Sequence, residues 1–385
     1  MSELSLTPNL KRMLAEGFLE AARLLETGEG GDRIRIGLTT LGSEHGIAEV
    51  VRGGELAQKA NPRLEVILIG PPVESDLPQV HTDACAADAH RKMEELLDAG
   101  EIAAAVTMHY NFPVGVATVG KVITPAQGRE MYLATTTGTA ATDRVQAMIY
   151  NALYGIAVAR ATGVPEPTVG ILNVDGSRQV ERALNQLRER GFRIQPAESL
   201  RADGGCIMRG NDLLAGTPDV MVCDTLTGNL LMKVFSAYTT GGDYEASGYG
   251  YGPGVGPGYN RIINIVSRAS GAPVIAASIA YAAEAARGKL PRVLAELWEA
   301  AEKAGLSSLA LPAKTPPREV KVPPRKPVDQ EISGIDVLEL DNAAKALWQE
   351  GIYAETGMGC SGPVILVAAE DLEKSQELLK ESGYL

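Results

Sequence analysis

Short apolar runs rich in valine, isoleucine and alanine alternate along this chain with longer segments of helical periodicity. The short runs predict strands at 33–39, 64–69, 102–107, 131–136, 168–173, 219–223 and 273–277. The longer segments predict helices at 46–60, 86–99, 143–162, 177–190, 228–237, 279–287 and 291–304. This alternation favours a mainly parallel sheet covered by helices on both faces, whose ligands bind at the carboxyl ends of the strands.

The 385 residues leave room for more than one domain. Residues 1–32 are predicted to form an N-terminal helix, mainly over 5–27, and residues 33–311 the α/β domain. A segment rich in proline and basic residues, 312–329, predicts an extended linker. Residues 330–385 predict a small βαβα module, with a strand at 335–340, a helix at 342–350, a glycine-rich loop, a strand at 363–369 and a helix at 370–382.

Composition narrows the classes of function. A net charge of −12 argues against nucleic acid as a partner, because neutralising phosphates needs a basic surface. There is no apolar run of the roughly 20 residues that a membrane helix needs, and no signal peptide, so the cytoplasm is the expected compartment. The four cysteines form no CxxC pair and the four histidines no HExxH motif, so neither a disulfide framework nor a metal centre is expected.

One cysteine of the C-terminal module stands in a glycine-rich segment. Cys360 follows Gly357 and Gly359 and precedes Ser361 and Gly362. Glycines let consecutive backbone N–H groups turn inward, and such a nest could stabilise an oxyanion and lower the pKa of the thiol. A small side chain packed in a tight turn is the alternative, and the sequence leaves both open. Packing is the expected role of the other three cysteines, Cys85, Cys206 and Cys223.

A second candidate site follows the sixth predicted strand. Asp224 would stand at the carboxyl end of this strand, and Thr227 would cap the helix after it. The N–H groups of that helix N-terminus could bind an anion beside Thr225, Gly228 and Asn229. An ordinary capped helix is the alternative interpretation.

A third candidate lies between another strand and its helix. Thr137, Gly138 and Thr139 offer hydroxyls and a flexible backbone suited to phosphate or carbonyl oxygens. A capping turn rich in threonine is the alternative.

The segment 247–261 has six glycines in fifteen residues, which predicts a long surface loop that could close over a ligand. Arg261 at its end supplies positive charge beside this loop, and a basic residue in such a position of an acidic chain is a candidate for binding an anion.

Several long segments resemble the family of alpha subunits of component C of the glycine/sarcosine/betaine reductase complex. They are ETGMGCSGPV, VTMHYNFPVGVATVGKVITP, ILNVDGSRQVERAL, RADGGCIMRGNDLLAGTPDVMVCDTLTGNLLMK and GGDYEASGYGYGPGVGPG. Residues 33–311 are also, more distantly, similar to phosphate acyltransferases and phosphotransacetylases. The strand-end Asp, the Gly and the Asn of that wider family fall on Asp224, Gly228 and Asn229, but Thr225 and Leu226 replace its Gly-Phe pair.

The resemblance implies a three-layer sandwich of the isocitrate/isopropylmalate dehydrogenase type. It also implies a reaction of amino-acid fermentation, in which a carboxymethyl selenoether on selenoprotein component A becomes an acetyl thioester and then acetyl phosphate. The reactive cysteine of the family's GMGC[ST]GP motif falls on Cys360, with Gly359, Ser361 and Gly362 as oxyanion donors. Phosphate would be a co-substrate, and no cofactor would be bound.

The same resemblance implies a ketoacyl-synthase-like beta subunit as partner, in an oligomeric complex of anaerobic cells. Two alternatives remain open. The chain could be a non-catalytic partner of that beta subunit, or a free-standing phosphotransacetylase that uses coenzyme A. The C-terminal cysteine argues against the latter, because direct transfer between two substrates needs no enzyme thiol.

Overall fold

A computed structural model describes residues 18, 19, 22, 33–202, 204–309, 320–336, 339–359 and 362–385. The strands of the large unit are β1 (Ile34–Thr39), β2 (Leu64–Gly70), β3 (Gln79–His81), β4 (Ala104–Thr107), β5 (Ala117–Ile123), β6 (Glu130–Gly138), β7 (Thr168–Leu172), β8 (Gln195–Pro196), β9 (Ile207–Met208), β10 (Val220–Val222), β11 (Gly252–Val255) and β12 (Ile263–Ile265). Its helices are α1 (Ile47–Ala60), α2 (Ala86–Asp98), α3 (Arg144–Ala161), α4 (Ser177–Glu189), α5 (Gly210–Ala215), α6 (Thr225–Ala237), α7 (Ala272–Arg287) and α8 (Leu290–Lys303).

These strands form one sheet in the order β3-β2-β1-β4-β12-β11-β5-β6-β10-β7-β8, and β9 also pairs with β7. Pairing is parallel from β3 to β12 and again from β6 to β8. Between these blocks, three successive pairings are antiparallel: β12 with β11, β11 with β5, and β5 with β6. The two parallel blocks therefore run in opposite directions. The prediction of a mainly parallel sheet is confirmed.

Both faces of the sheet are covered. Along β6, Tyr132 and Ala134 belong to the largest hydrophobic cluster, which includes α3, whereas Met131 and Leu133 belong to a second cluster with α6. Successive side chains of a strand point to opposite faces. Burial on both faces is why these strands read as nearly continuous apolar runs.

The glycine-rich segment 247–261 is not a surface loop, so that prediction is wrong. It contributes β11 to the middle of the sheet, between β12 and β5. Gly252 has φ +86°, and a methyl group there would overlap the Val119 carbonyl. A side chain at Gly254 would overlap the Phe112 ring. These glycines allow neighbouring chain segments to approach closely, and they do not make the segment mobile.

The strand predicted at 273–277 is also wrong, because these residues lie in α7. Pro273 stands in the first turn of that helix, where its missing N–H costs nothing. Val274, Ile275 and Ile279 are buried, and nine of the 16 residues of α7 are buried in all. A helix that is apolar on most sides gives the same short apolar run as a buried strand.

The C-terminal unit contains β13 (Gln330–Ser333), α9 (Leu340–Gln349), β14 (Ala354–Gly359), β15 (Gly362–Val367) and α10 (Leu372–Glu381). Its sheet has the order β13-β15-β14, and both pairings are antiparallel. The predicted βαβα order is wrong on two counts. The first strand lies at 330–333 rather than 335–340, and most of the predicted glycine-rich loop is the strand β14. Glycines within a strand were mistaken for a turn.

Three contacts join the C-terminal unit to the first turns of α4. The Gly176 N–H donates to Asp336 Oδ1 at 3.3 Å, and Gln179 Nε2 donates to Glu339 Oε1 at 2.8 Å. The Arg182 guanidinium donates to the Gly383 carbonyl. The unit is therefore docked beside the carboxyl end of β7.

Two predicted segments fall partly outside the described residues. Of the N-terminal helix predicted at 5–27, Phe18, Leu19 and Ala22 are described and are helical. Of the linker predicted at 312–329, residues 320–329 are described and form neither helix nor strand. In the described part of the chain, no helix has the length and apolar character to cross a membrane.

Candidate active site

Residues at the carboxyl ends of β4, β6 and β12 line a cavity of about 390 Å³. Three residues predicted from the sequence are in its wall, namely Thr137, Gly138 and Asn229. The other lining residues are Met108, His109, Tyr110, Asn111, Phe112, Tyr251, Ile265, Val266 and Ser267. The cavity thus brings together two of the predicted clusters, one after β6 and one at the start of α6.

Asp224 is the N-cap of α6, a role that the sequence analysis gave to Thr227. Its carboxylate accepts from the Thr227 N–H at 3.1 Å and from the Thr227 hydroxyl at 2.6 Å. Arg144 Nη2 donates to the same carboxylate at 3.0 Å. Burial opposes ionisation of Asp224, but the hydrogen bonds from Thr227 and the charge of Arg144 outweigh it and hold the pKa below its usual value. Asp224 is therefore ionised, and its carboxylate holds Thr227 and Arg144 in place.

The first turn of α6 packs directly on the end of β6. Thr225 Oγ1 donates to the Gly138 carbonyl at 3.1 Å, and Asn229 Nδ2 donates to the Thr136 carbonyl at 3.0 Å. Gly228 lies between them, where a methyl group would overlap the Thr135 carbonyl oxygen. Thr225, Gly228 and Asn229 therefore position α6, and of the three only Asn229 also lines the cavity.

The turn after β6 is shaped by its backbone. Gly138 has φ +83°, and a side chain there would crowd the Val116 carbonyl. Thr139 is exposed, and its backbone bonds with Gly115 and Val116. It is not among the lining residues, unlike Thr137 and Gly138.

Arg144 was not singled out from the sequence, although it follows the threonine cluster. It lies in the first turn of α3 and bridges two carboxylates, Asp224 at 3.0 Å and Asp175 at 3.5 Å. Asp175 precedes Gly176, whose N–H is bonded to Asp336 of the C-terminal unit. A continuous set of polar contacts therefore runs from the C-terminal unit to the start of α6.

Arg261 does not line the cavity. Its guanidinium donates to Asp98 at 2.7 and 2.8 Å and to Glu94 at 2.9 Å, both on α2. The hydrogen bond to Asp98 raises the pKa of Arg261 further above its ordinary value. Tyr110, which does line the cavity, donates to Glu94 at 2.7 Å. Arg261 thus supports the wall behind Tyr110, whereas the sequence analysis expected it to bind an anion.

The segment after β4 is the part of the site that sequence reasoning missed. Met108 to Phe112 follow the last residue of β4 and supply almost half of the lining. This segment contains His109, which lines the cavity. His90 lies nearby, and its pKa is lowered by burial and by the charge of His109. A polar segment directly after a parallel strand was the available signal, since ligands bind at such ends.

Cys360 and Ser361 lie outside the described residues. Their described neighbours belong to an antiparallel pair of strands, in which Gly359 pairs with Gly362. Gly357 pairs with Val364 inside β14, so the predicted inward-turned backbone is wrong at Gly357. The role of Cys360 stays a prediction.

The other three cysteines differ in environment. Cys223 is fully buried and Cys206 packs against the main core, which confirms packing for both. Burial raises the pKa of Cys223 to about 12, and burial with nearby Glu181 raises the pKa of Cys206 to about 12. Cys85 is exposed, so the packing prediction is wrong for it.

Iodoacetamide at pH 8 is therefore expected to alkylate Cys85 in the native chain and to spare Cys206 and Cys223. The thiolate is the reactive form, and with a pKa of about 12 roughly one thiol in ten thousand is ionised at pH 8. Peptide mapping by mass spectrometry after timed labelling measures this, and labelling in urea is the control in which all thiols react. Native labelling of Cys223 as fast as Cys85 would contradict the burial described above.

Comparison with known proteins gives three results. Residues 34–366 match the family model described as "Fatty acid synthesis protein". Over 381 residues the chain is 53% identical to the glycine/sarcosine/betaine reductase complex component C subunit alpha of Peptoclostridium acidaminophilum, covering 97% of this chain and 99% of that protein. Phosphate acyltransferases of Gluconobacter oxydans and Brucella suis are 40% identical over 83 and 85 residues, covering 21% of this chain and 22% and 23% of those proteins.

Among solved structures, a 4-hydroxythreonine-4-phosphate dehydrogenase from Klebsiella pneumoniae has a TM-score of 0.42 and 14% sequence identity. The match covers 66% of this chain and 99% of that chain. A TM-score this low does not establish a shared fold, so the isocitrate/isopropylmalate dehydrogenase type stays a prediction.

Proposed function

The chain belongs to the family of alpha subunits of component C of the glycine/sarcosine/betaine reductase complex, within the fatty acid synthesis protein family, and from this premise we propose that it is an acyltransferase subunit forming acetyl phosphate. The acetyl group would be held as a thioester on Cys360. It would originate from a carboxymethyl selenoether on the selenoprotein of the complex. The observation that carries this proposal is 53% identity along nearly the whole of both chains.

Two further features support it. The family model spans residues 34–366, so the matched region includes both the large α/β unit and Cys360. The phosphate acyltransferases that share 40% identity with part of the chain are named for transfer to phosphate. An acyl carrier and a phosphate site are the two parts that acetyl phosphate formation needs.

The chemical step is phosphorolysis of the thioester. A phosphate oxygen attacks the acetyl carbon, the new C–O bond forms, and the C–S bond to Cys360 breaks. The proton of hydrogen phosphate moves to the leaving thiolate, so no oxidant or reductant is needed in this step. A thiolate suits both halves of the reaction, since it is a strong nucleophile and a good leaving group.

We assign the phosphate site to the cavity lined by Thr137, Asn229 and His109. Hydroxyl, amide and imidazole groups can donate hydrogen bonds to phosphate oxygens. The N-terminus of α6 adds positive potential beside the cavity, and Arg144, which is paired with Asp224 and Asp175, helps to position that N-terminus. The C-terminal unit is bonded to Gly176, next to the Asp175 partner of Arg144. The proposal requires Cys360 to reach this cavity from that unit.

The remaining parts of the proposal concern the assembly. A ketoacyl-synthase-like beta subunit and selenoprotein component A are the proposed partners, in an oligomeric complex in the cytoplasm. Phosphate is the proposed co-substrate, without a resident cofactor.

Arsenate-dependent release of acetate separates this proposal from its alternatives. The purified alpha chain, the beta subunit and the reassembled component C would each be given the selenoprotein loaded with the carboxymethyl selenoether. Release that requires the alpha chain is expected. Release of equal rate by the beta subunit alone would make the alpha chain a non-catalytic partner, and transfer of acetyl groups from coenzyme A without partners would make it a phosphotransacetylase.

Replacing His109 by glutamine is expected to slow phosphorolysis by about a hundredfold, because His109 would relay the proton from hydrogen phosphate to the leaving thiolate, and glutamine can donate a hydrogen bond but cannot relay a proton. His81→Gln is the matched control, since His81 is exposed on the edge strand β3. Acetyl phosphate formation by the reassembled complex is the measurement. Equal rates for the two variants would remove His109 from the reaction.

A further inference from the structure

A second cavity, of about 1020 Å³, lies at the amino-terminal ends of β7 and β8. Its wall includes Arg160 at the end of α3, Arg188 at the end of α4 and several residues of α8. Thr137 stands at the carboxyl end of β6, which belongs to the same block of parallel strands. The second cavity is therefore on the opposite edge of this block from the candidate active site.

Three arginines, Arg160, Arg188 and Arg193, converge on this cavity. Two carboxylates also line it, but Glu296 is already paired with Arg292 at 2.8 Å, which leaves Glu166. None of the three arginines forms an ion pair with another of the described residues. In a chain with a net charge of −12, such a concentration of unpaired positive charge stands out.

Arg160 is the most constrained of the three. Its Nε is buried and has no hydrogen-bond partner among the described residues. Burial and the nearby charge of Arg193 lower its pKa, against the opposing influence of Glu166. A buried guanidinium nitrogen without an acceptor is costly, and native proteins rarely leave one unless another group binds there.

The rest of the wall is apolar. Phe192, Ile194, Val293 and Leu297 line the cavity beside the arginines. Guanidinium groups bind phosphate oxygens through paired hydrogen bonds, whereas the apolar side chains suit an aromatic or aliphatic group. The volume is at the upper end of the range for small-molecule sites, roughly 300–1,000 Å³.

We propose that this cavity binds a small phosphate ester that has an aromatic or apolar group, at a site separate from the candidate active site. The phosphates bind Arg160, Arg188 and Arg193, and the apolar group packs on Ile194 and Val293, which are partly exposed in the wall of the cavity. The site does not depend on the proposed reaction, because none of its lining residues lines the other cavity.

Titration calorimetry of the full chain with adenosine diphosphate and with inorganic pyrophosphate tests the proposal. Both are expected to bind. Adenosine diphosphate is expected to bind more tightly, because its adenine ring can pack on the apolar wall and pyrophosphate has no such group. The double variant Arg188→Gln/Arg193→Gln is expected to weaken binding about a hundredfold, because each charged hydrogen bond contributes about tenfold. Arg188 and Arg193 are exposed, so their replacement leaves the core intact.

Two controls make the result decisive. Arg91→Gln removes one exposed charge from α2, far along the chain from the cavity, and is expected to leave binding unchanged. Arg144→Gln removes the guanidinium beside the candidate active site and is also expected to leave it unchanged. Circular dichroism and thermal unfolding confirm that each variant is folded. Absence of binding to the wild-type chain, equal affinity of the double variant, or a loss confined to Arg144→Gln would each overturn the proposal.

Discussion

Replacing Cys360 by alanine is expected to reduce acetyl phosphate formation by the assembled complex at least about a thousandfold, because the acetyl group loses its carrier thiol. The rate would be measured with the beta subunit, the loaded selenoprotein and phosphate present. Binding of the variant to the beta subunit is expected to be unchanged, which separates a chemical role from a structural one.

Cys85→Ala is the matched control for this substitution. Cys85 is an exposed cysteine of this chain and lines neither cavity. Cys85→Ala is expected to keep the wild-type rate of acetyl phosphate formation. Full acetyl phosphate formation by Cys360→Ala, or an equal loss in both variants, would contradict a covalent role for Cys360.

Replacing Gly228 by alanine is expected to destabilise the chain by about 3 kcal/mol and to disrupt the phosphate cavity. A methyl group at this position would overlap the Thr135 carbonyl oxygen and lie 3.0 Å from Cys223 Sγ. Backbone cannot move aside as a flexible side chain can, so α6 would have to shift away from β6. The shift would break the hydrogen bond from Asn229 to the Thr136 carbonyl.

Gly210→Ala is the control, because Gly210 also lies in the first turn of a helix and a methyl group there meets nothing within 4 Å. Its effect on stability is expected to be neutral or slightly favourable. Urea unfolding and the phosphorolysis rate would be measured for both variants. Wild-type stability and activity of Gly228→Ala would show that α6 is not packed on β6 in the way described.

The sequence alone was sufficient to predict the strands that are buried on both faces of the sheet. Runs such as 64–69 and 168–173 are apolar on both faces because helices cover both sides of the sheet, and they appear as β2 and β7. Asp224 and Asn229 were found because a polar residue after a buried strand must face the sheet's end. His109 also follows a buried parallel strand, so the same rule predicts it. The sequence analysis used its segment only as part of a family resemblance and did not name His109 as a site residue.

The errors have a common physical origin. Secondary-structure propensity describes a residue without its tertiary contacts. Gly252 and Gly254 lie in a strand because Val119 and Phe112 leave no space for a side chain. The glycines of β14 likewise predict a loop by propensity, although they lie in a strand. Arg261 was expected to bind an anion, but its partners Glu94 and Asp98 are more than 160 residues away along the chain and could not be foreseen from local sequence.

The central claim is that Cys360 holds the acetyl group. Trapping the acyl-enzyme tests it directly: the complex is supplied with the loaded selenoprotein but no phosphate, quenched in acid and analysed by peptide mass spectrometry. One acetyl group is expected on the peptide that contains Cys360, and it is expected to be lost, with formation of acetyl phosphate, when phosphate is added. An acetyl group found on the beta subunit, with the Cys360 peptide unmodified, would contradict it.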